Sequence, residues 1–159
     1  MTEFNPIHLD IPLLDRLYAL DEVASSRFPY KYGSAFGTVG LNLFSPPLLD
    51  FYPHITARNV ATFGQTGGGG THFSLLRIEG RIDAGSPVVV TANCCNVILA
   101  ENLTDFIRLG LVRGYFTMEA FTDGHDVAVE AYGNPNWQPP ENYLYGGVPD
   151  DNERRILEF

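Results

Sequence analysis

Residues Phe63 to Leu76 read "FGQTGGGGTHFSLL", and the role of their four adjacent glycines, Gly67 to Gly70, decides the fold. If the run led from a strand into a helix, it would be a phosphate cradle in an α/β domain. If it led from strand to strand, the sheet would be antiparallel. A P-loop needs GxxxxGK[ST], with a lysine to reach the phosphates and a helix whose N-terminus faces them. No lysine follows Gly70 here. The next residues, "THFSLLRI" (Thr71 to Ile78), have the β-branched and aromatic enrichment of a strand, as does "ARNVATF" (Ala57 to Phe63) before the run. A dinucleotide fingerprint also needs the helix. The run therefore reads as a strand-to-strand connection in which at least one glycine takes positive φ. Four glycines exceed what a two-residue turn requires, a surplus that leaves room for the loop to touch a ligand.

Working outward, "SPVVVTA" (Ser86 to Ala92) is an apolar run of strand length and "NVIL" (Asn96 to Leu99) a further short strand. "AENLTDFIRLGL" (Ala100 to Leu111) reads as a helix with Asn102 as its cap and Asp105 in its first turn. Leu103, Phe106, Ile107 and Leu111 form its inner stripe, and Gly110 or Gly114 stops it. "YFTMEAF" (Tyr115 to Phe121) adds one or two helical turns. Towards the N-terminus, "DIPLLDRLYALDEVAS" (10–25) reads as a helix capped by Asp10, with Pro12 in the first turn and Leu13, Leu14, Leu17, Leu20 and Ala24 on one face. "TVGLNLF" (Thr38 to Phe44) alternates as a strand that Pro46 and Pro47 end. These elements assemble most simply into one α+β domain over 1–159, with a mainly antiparallel sheet and the N-terminal and central helices packed against it. Residues 124–159 form an acidic, aromatic, loop-rich tail, docked or mobile.

Composition narrows the function classes. The net charge is −9, which argues against nucleic acid and anionic membranes, since both select basic surfaces. No apolar run is long enough for a membrane helix. "MTEFNPIHLD" lacks the basic and apolar regions of a signal peptide, so a cytoplasmic location is expected. From Glu119 onward, nine acids face only Arg154 and Arg155, a local net of −7. Asp123, Asp126, Asp150 and Asp151 therefore become candidate contacts for a basic protein partner, with Trp137, Tyr143 and Tyr145 as candidate aromatic anchors. The bland alternative is a solvated acidic surface whose aromatics pin the tail to the core.

Catalytic signals are sparse. His72 shares a strand face with Ser74, opposite Phe73 and Leu75, and is either solvent-facing or held by a hydrogen bond. No HxxxH, HxH, HExxH or GxSxG occurs, and "DGHD" (Asp123 to Asp126) is too short for a calcium loop. The two cysteines are neighbours, Cys94 and Cys95, which in a strand would point to opposite faces; neither a CxxC nor a second pair supports zinc. No catalytic residue, metal or cofactor is assigned. An alternative stays open in which a small-molecule-binding or hydrolytic pocket includes Gly67, Gly68, Gly69, Gly70 and His72.

Taken as a unit, about residues 55–121 resemble the SUKH superfamily of bacterial immunity and regulatory proteins. Members share a glycine-containing turn leading into a strand, a further strand, and a helix introduced by the pattern A-E-N/S-L-x-x-F-L. Ala100, Glu101, Asn102, Leu103, Phe106 and Ile107 match that pattern, and Gly67 to Phe73 match the turn and strand more loosely. The resemblance, that of a divergent member, implies an α+β domain without catalysis that binds a protein partner. In the immunity members that partner is often a nuclease toxin, and such toxins need basic surfaces to hold phosphates.

Overall fold

The computed structural model describes residues 5–27, 35–67 and 70–122. They form an α+β arrangement around one antiparallel six-stranded sheet in which each strand neighbours the next in sequence. The strands are β1 (Asn5–Pro6), β2 (Asn42–Leu49), β3 (Val60–Gln65), β4 (His72–Leu76), β5 (Val88–Ala92) and β6 (Cys95–Ala100). Helix α1 (Pro12–Arg27) precedes β2, and α2 (Leu103–Arg113) follows β6. Antiparallel neighbours can be joined by short turns, and the glycine run lies in the one between β3 and β4, whereas the connection from β1 to β2 carries α1.

Helix α1 begins as its sequence predicts, with Pro12 at the first position, where a missing N–H costs no hydrogen bond. The first helical bond runs from the Asp15 N–H to the Ile11 carbonyl, so the residue ahead of the helix is the buried Ile11 and not Asp10. Leu14 and Leu17 are buried as expected, but Leu20 is 55 % exposed. The inner face has turned past it. Asp21 points inward and accepts the Ala35 N–H at 2.7 Å, so the last turns present Tyr18, Asp21 and Ser25 instead of a leucine stripe.

The reading of β2 also needs correction. Phe36–Val39 is a 3₁₀ turn closed by Gly40, whose φ of 88° suits glycine and whose missing Cβ makes room for the Phe116 ring. The strand then starts at Asn42 and runs through Pro46 and Pro47 to Leu49. It can do so because the register shifts there: Leu43 pairs with Gly64 and Leu48 with Thr62. Residues in such an irregularity need no ladder N–H, so the prolines remove nothing the sheet uses.

Helix α2 is capped as its sequence implies. The Asn102 side-chain oxygen accepts the Asp105 N–H at 2.9 Å, while its amide donates to the Asp105 carboxylate at 2.7 Å. Gly114 ends it with a φ of 76° and donates its N–H to Gly110. Leu103 and Phe106 face inward with Ile107 half-buried, but Leu111 is 64 % exposed. Gly110 takes the inner position instead, and the Tyr115 ring lies where its Cβ would be. After α2, residues Phe116–Thr122 form a 3₁₀ segment, not further α-helix.

One core cluster joins both helices to the inner face of the sheet. At its centre the Phe106 ring meets Phe63 edge-on at 5.4 Å, and Phe73 and Tyr115 at 5.0 Å each. Alternation along β4 sends Phe73 and Leu75 to this core, and along β5 it sends Val88 and Val90 there.

Candidate functional site

The opposite face of the central strands is polar yet closed. Thr62, His72, Ser74 and Thr91 are all fully buried. Thr62 and Ser74 hydroxyls pair across β3 and β4 at 2.8 Å, and Thr91 donates to Asn96 at 2.7 Å. Each polar side chain thus finds a partner, as groups cut off from water must.

His72 opens β4 directly after the glycine turn. Gln65 pairs with it, the Thr66 N–H bonds to the Thr71 carbonyl at 3.0 Å, and Gly67 and Gly70 hold φ values of 83° and 80°. The turn is therefore the strand-to-strand connection the sequence implied, and β4, not a helix, begins beyond it. A Cβ on Gly67 would come within 2.7 Å of the Asn42 side-chain nitrogen, the far end of a flexible side chain that can shift, so it is the positive φ that favours glycine there. The turn folds back over the histidine, placing the Gly70 carbonyl 2.7 Å from Nδ1. On the other side Thr56 Oγ1 lies 2.8 Å from Nε2. Phe51 meets the ring edge-on at 5.1 Å, and Tyr52 stands 6.0 Å away.

Proton bookkeeping sets the tautomer. A carbonyl only accepts, so Nδ1 carries a proton and donates to Gly70. In the neutral ring Nε2 then accepts from the Thr56 hydroxyl, which also faces the Phe51 carbonyl and has one proton for two acceptors. Protonating Nε2 would resolve this competition, but burial disfavours the charge. Burial is the larger influence and holds the His72 pKa below 6.5, against the raising effect of the Gly70 carbonyl. Both ring nitrogens are committed to a hydroxyl and a carbonyl, and neither partner is a carboxylate. A ring so buried, with Nδ1 donating to Gly70 and Nε2 competing with the Phe51 carbonyl for the Thr56 proton, stabilises the turn and lacks the carboxylate partner that orients a general-base histidine.

Other candidate residues fare differently. Gly68 and Gly69, and the proposed partner contacts Asp123, Asp126, Trp137, Tyr143, Tyr145, Asp150 and Asp151, lie outside the described residues. Among the described residues no group of three or more His, Cys, Asp or Glu side chains could hold a metal ion, and no helix is long and apolar enough to cross a membrane.

One feature escaped sequence reasoning. Between α1 and β2 lies an open cleft of about 530 Å³, walled by Asp15, Tyr18, Asp21, Glu22 and Ser25 and floored by Leu43 and Ser45. Its Tyr18 and Ser25 hydroxyls are buried without a partner. Burial, and then the Asp15 carboxylate, push the Tyr18 pKa well up, so this phenol stays protonated. The acids recur at helical spacing in "DRLYALDEVAS", and they wall a cleft because β2 lies beside this face of α1.

No protein-family model, curated protein or solved structure matches this chain.

Proposed function

We propose that the chain is a non-enzymatic protein-binding module for a basic partner, acting as a toxin-immunity protein does when it neutralises a basic, nuclease-type toxin. The observation that carries this reading is the commitment of His72 to the fold. Its burial between Thr56 and Gly70 deprives the rival reading, a pocket at the glycine turn, of its reactive group. Charge supports the reading as well. The chain carries −9 overall, and the α1–β2 cleft sets Asp15, Asp21 and Glu22 along one wall. Acids arranged against a basic surface act chiefly on association rate and selectivity. The SUKH resemblance rests on a glycine turn into a strand, a further strand and an Asn102-capped helix, an order the chain keeps with β6 added between β5 and the helix.

The test begins with affinity capture from native lysate and identification of the captured protein. Its association rate is then measured against wild type, the Asp123→Asn/Asp126→Asn pair and the Asp150→Asn/Asp151→Asn pair. The expected partner is basic, and at least one double variant associates more slowly at low salt and converges with wild type at high salt. An acidic partner, or rates unchanged in both variants at low salt, overturns the reading.

A further inference from the structure

Cysteine is among the residue types most often buried, yet Cys94 and Cys95 are both exposed and free. They sit at the β5–β6 hairpin, where Ala92 pairs with Cys95 across a two-residue loop, Asn93-Cys94. The loop residues have φ values of 50° and 62°. A hairpin loop with positive φ at both positions favours Asn-Gly. Cys94 thus stands where glycine suits the backbone, in a region that penalises any residue with a Cβ. Core packing does not account for it, because the side chain points into solvent.

The tip is also firmly mounted. Asn96, the residue after Cys95, donates to the Ile55 carbonyl at 3.0 Å and accepts from the Ala57 N–H at 3.1 Å and the Thr91 hydroxyl at 2.7 Å. Since Cys94 belongs to the turn, the alternation that sends neighbouring strand side chains to opposite faces does not hold across the pair. This corrects the expectation drawn from sequence.

We propose that Cys94 and Cys95 form a vicinal dithiol site, held ready by the hairpin, for a soft trivalent metalloid centre that takes both sulfurs at one atom. Thiolates suit soft acceptors, and two on adjacent residues favour a chelate over two separate adducts. With an arsenical bearing one oxo group, two As–S bonds form, the As–O bonding is lost, and the oxygen leaves as water with both thiol protons. Arsenic stays trivalent and no oxidant is consumed. The site is independent of the partner-binding reading.

Phenylarsine oxide is the probe, added to the full reduced chain. Intact-mass measurement with thiol titration is expected to show one adduct per chain and both thiols consumed. Cys94→Ser and Cys95→Ser should each weaken binding at least tenfold, with circular dichroism confirming that they fold. If the hairpin presents the pair, the folded chain binds more tightly than the unfolded chain, and Tm rises with arsenical concentration. Two adducts per chain, or unchanged affinity in either variant, would show that the thiols act singly and overturn the proposal. An unchanged or lowered Tm would also overturn it, because the dithiol would then belong to the unfolded chain as much as to the fold.

Discussion

At His72 the fold sets a pH dependence whose sign follows from burial. The folded state holds the imidazole pKa below the 6.5 of a free side chain, so between those two values the unfolded chain binds a proton that the folded chain does not. The stabilising effect is complete above pH 6.5 and is lost as pH falls toward the lower folded value. Stability should therefore drop on acidification through this window, by at most about 1.4 kcal/mol per pH unit from this one group. Urea unfolding at pH 7.5, 6.5 and 5.5 checks it, with His72→Gln expected to be less stable at neutral pH and flatter across the window. An equal slope in the variant would place the effect elsewhere. Cys94 invites the opposite kind of substitution. Cys94→Gly removes a Cβ from a residue at φ 62° and should stabilise the chain by about 0.5–1 kcal/mol, seen as a higher Tm. Together with loss of arsenical binding, that result would separate what the thiol does from what the hairpin needs.

Among the elements, α2 shows how packing overrules propensity. Replacing glycine by alanine inside a helix ordinarily gains about 1 kcal/mol. At Gly110 the new Cβ would lie 2.1 Å from the Tyr115 ring. Gly110→Ala should lower stability by roughly 1–3 kcal/mol net, as overpacking does, and Tyr115→Leu in the same chain should recover part of the loss. Thermal melts of the two single variants and the double variant test this; additive losses would contradict it. At the other end of the helix, Asn102→Ala removes the acceptor for the Asp105 N–H and should cost about 1 kcal/mol. The strands carry a similar lesson. β2 keeps Pro46 and Pro47 because its pairing with β3 is irregular between Leu43 and Leu48, so the usual rule that proline ends a strand meets its known exception.

For the molecule as a whole, two quantities govern behaviour. One is the aromatic centre, where Phe106 ties α2 to Phe63, Phe73 and Tyr115. Phe106→Ala should cost about 3–5 kcal/mol, a large share of the stability of an ordinary domain, and chemical denaturation would report it. The other is net charge. A net charge of −9 acts on a basic partner of the kind proposed over a range set by a screening length of about 8 Å at physiological salt. The association rate with a basic partner should accordingly fall as salt rises, while dissociation changes less.

What was legible in the sequence was whatever depends on near neighbours in the chain. Pro12 opened α1, Asn102 capped α2 with its end narrowed to Gly110 or Gly114, and the missing lysine after Gly70, with β-branched and aromatic residues beyond it, made the glycine run a turn in an antiparallel sheet. Backbone preference and periodicity act over a few residues, so one sequence suffices to read them. Three things were decided only by the tertiary structure. Leu20 and Leu111 fit helical stripes, yet Asp21 and Gly110 took the inward places because Ala35 and Tyr115 needed them. His72 could have faced solvent until Phe51, Tyr52 and Thr56, far back in the chain, closed over it. The acids of α1 became the wall of a cleft only when β2 was laid beside them. In each case the deciding partner is distant in sequence, and burial and hydrogen bonding depend on which distant groups the fold brings within a few ångströms.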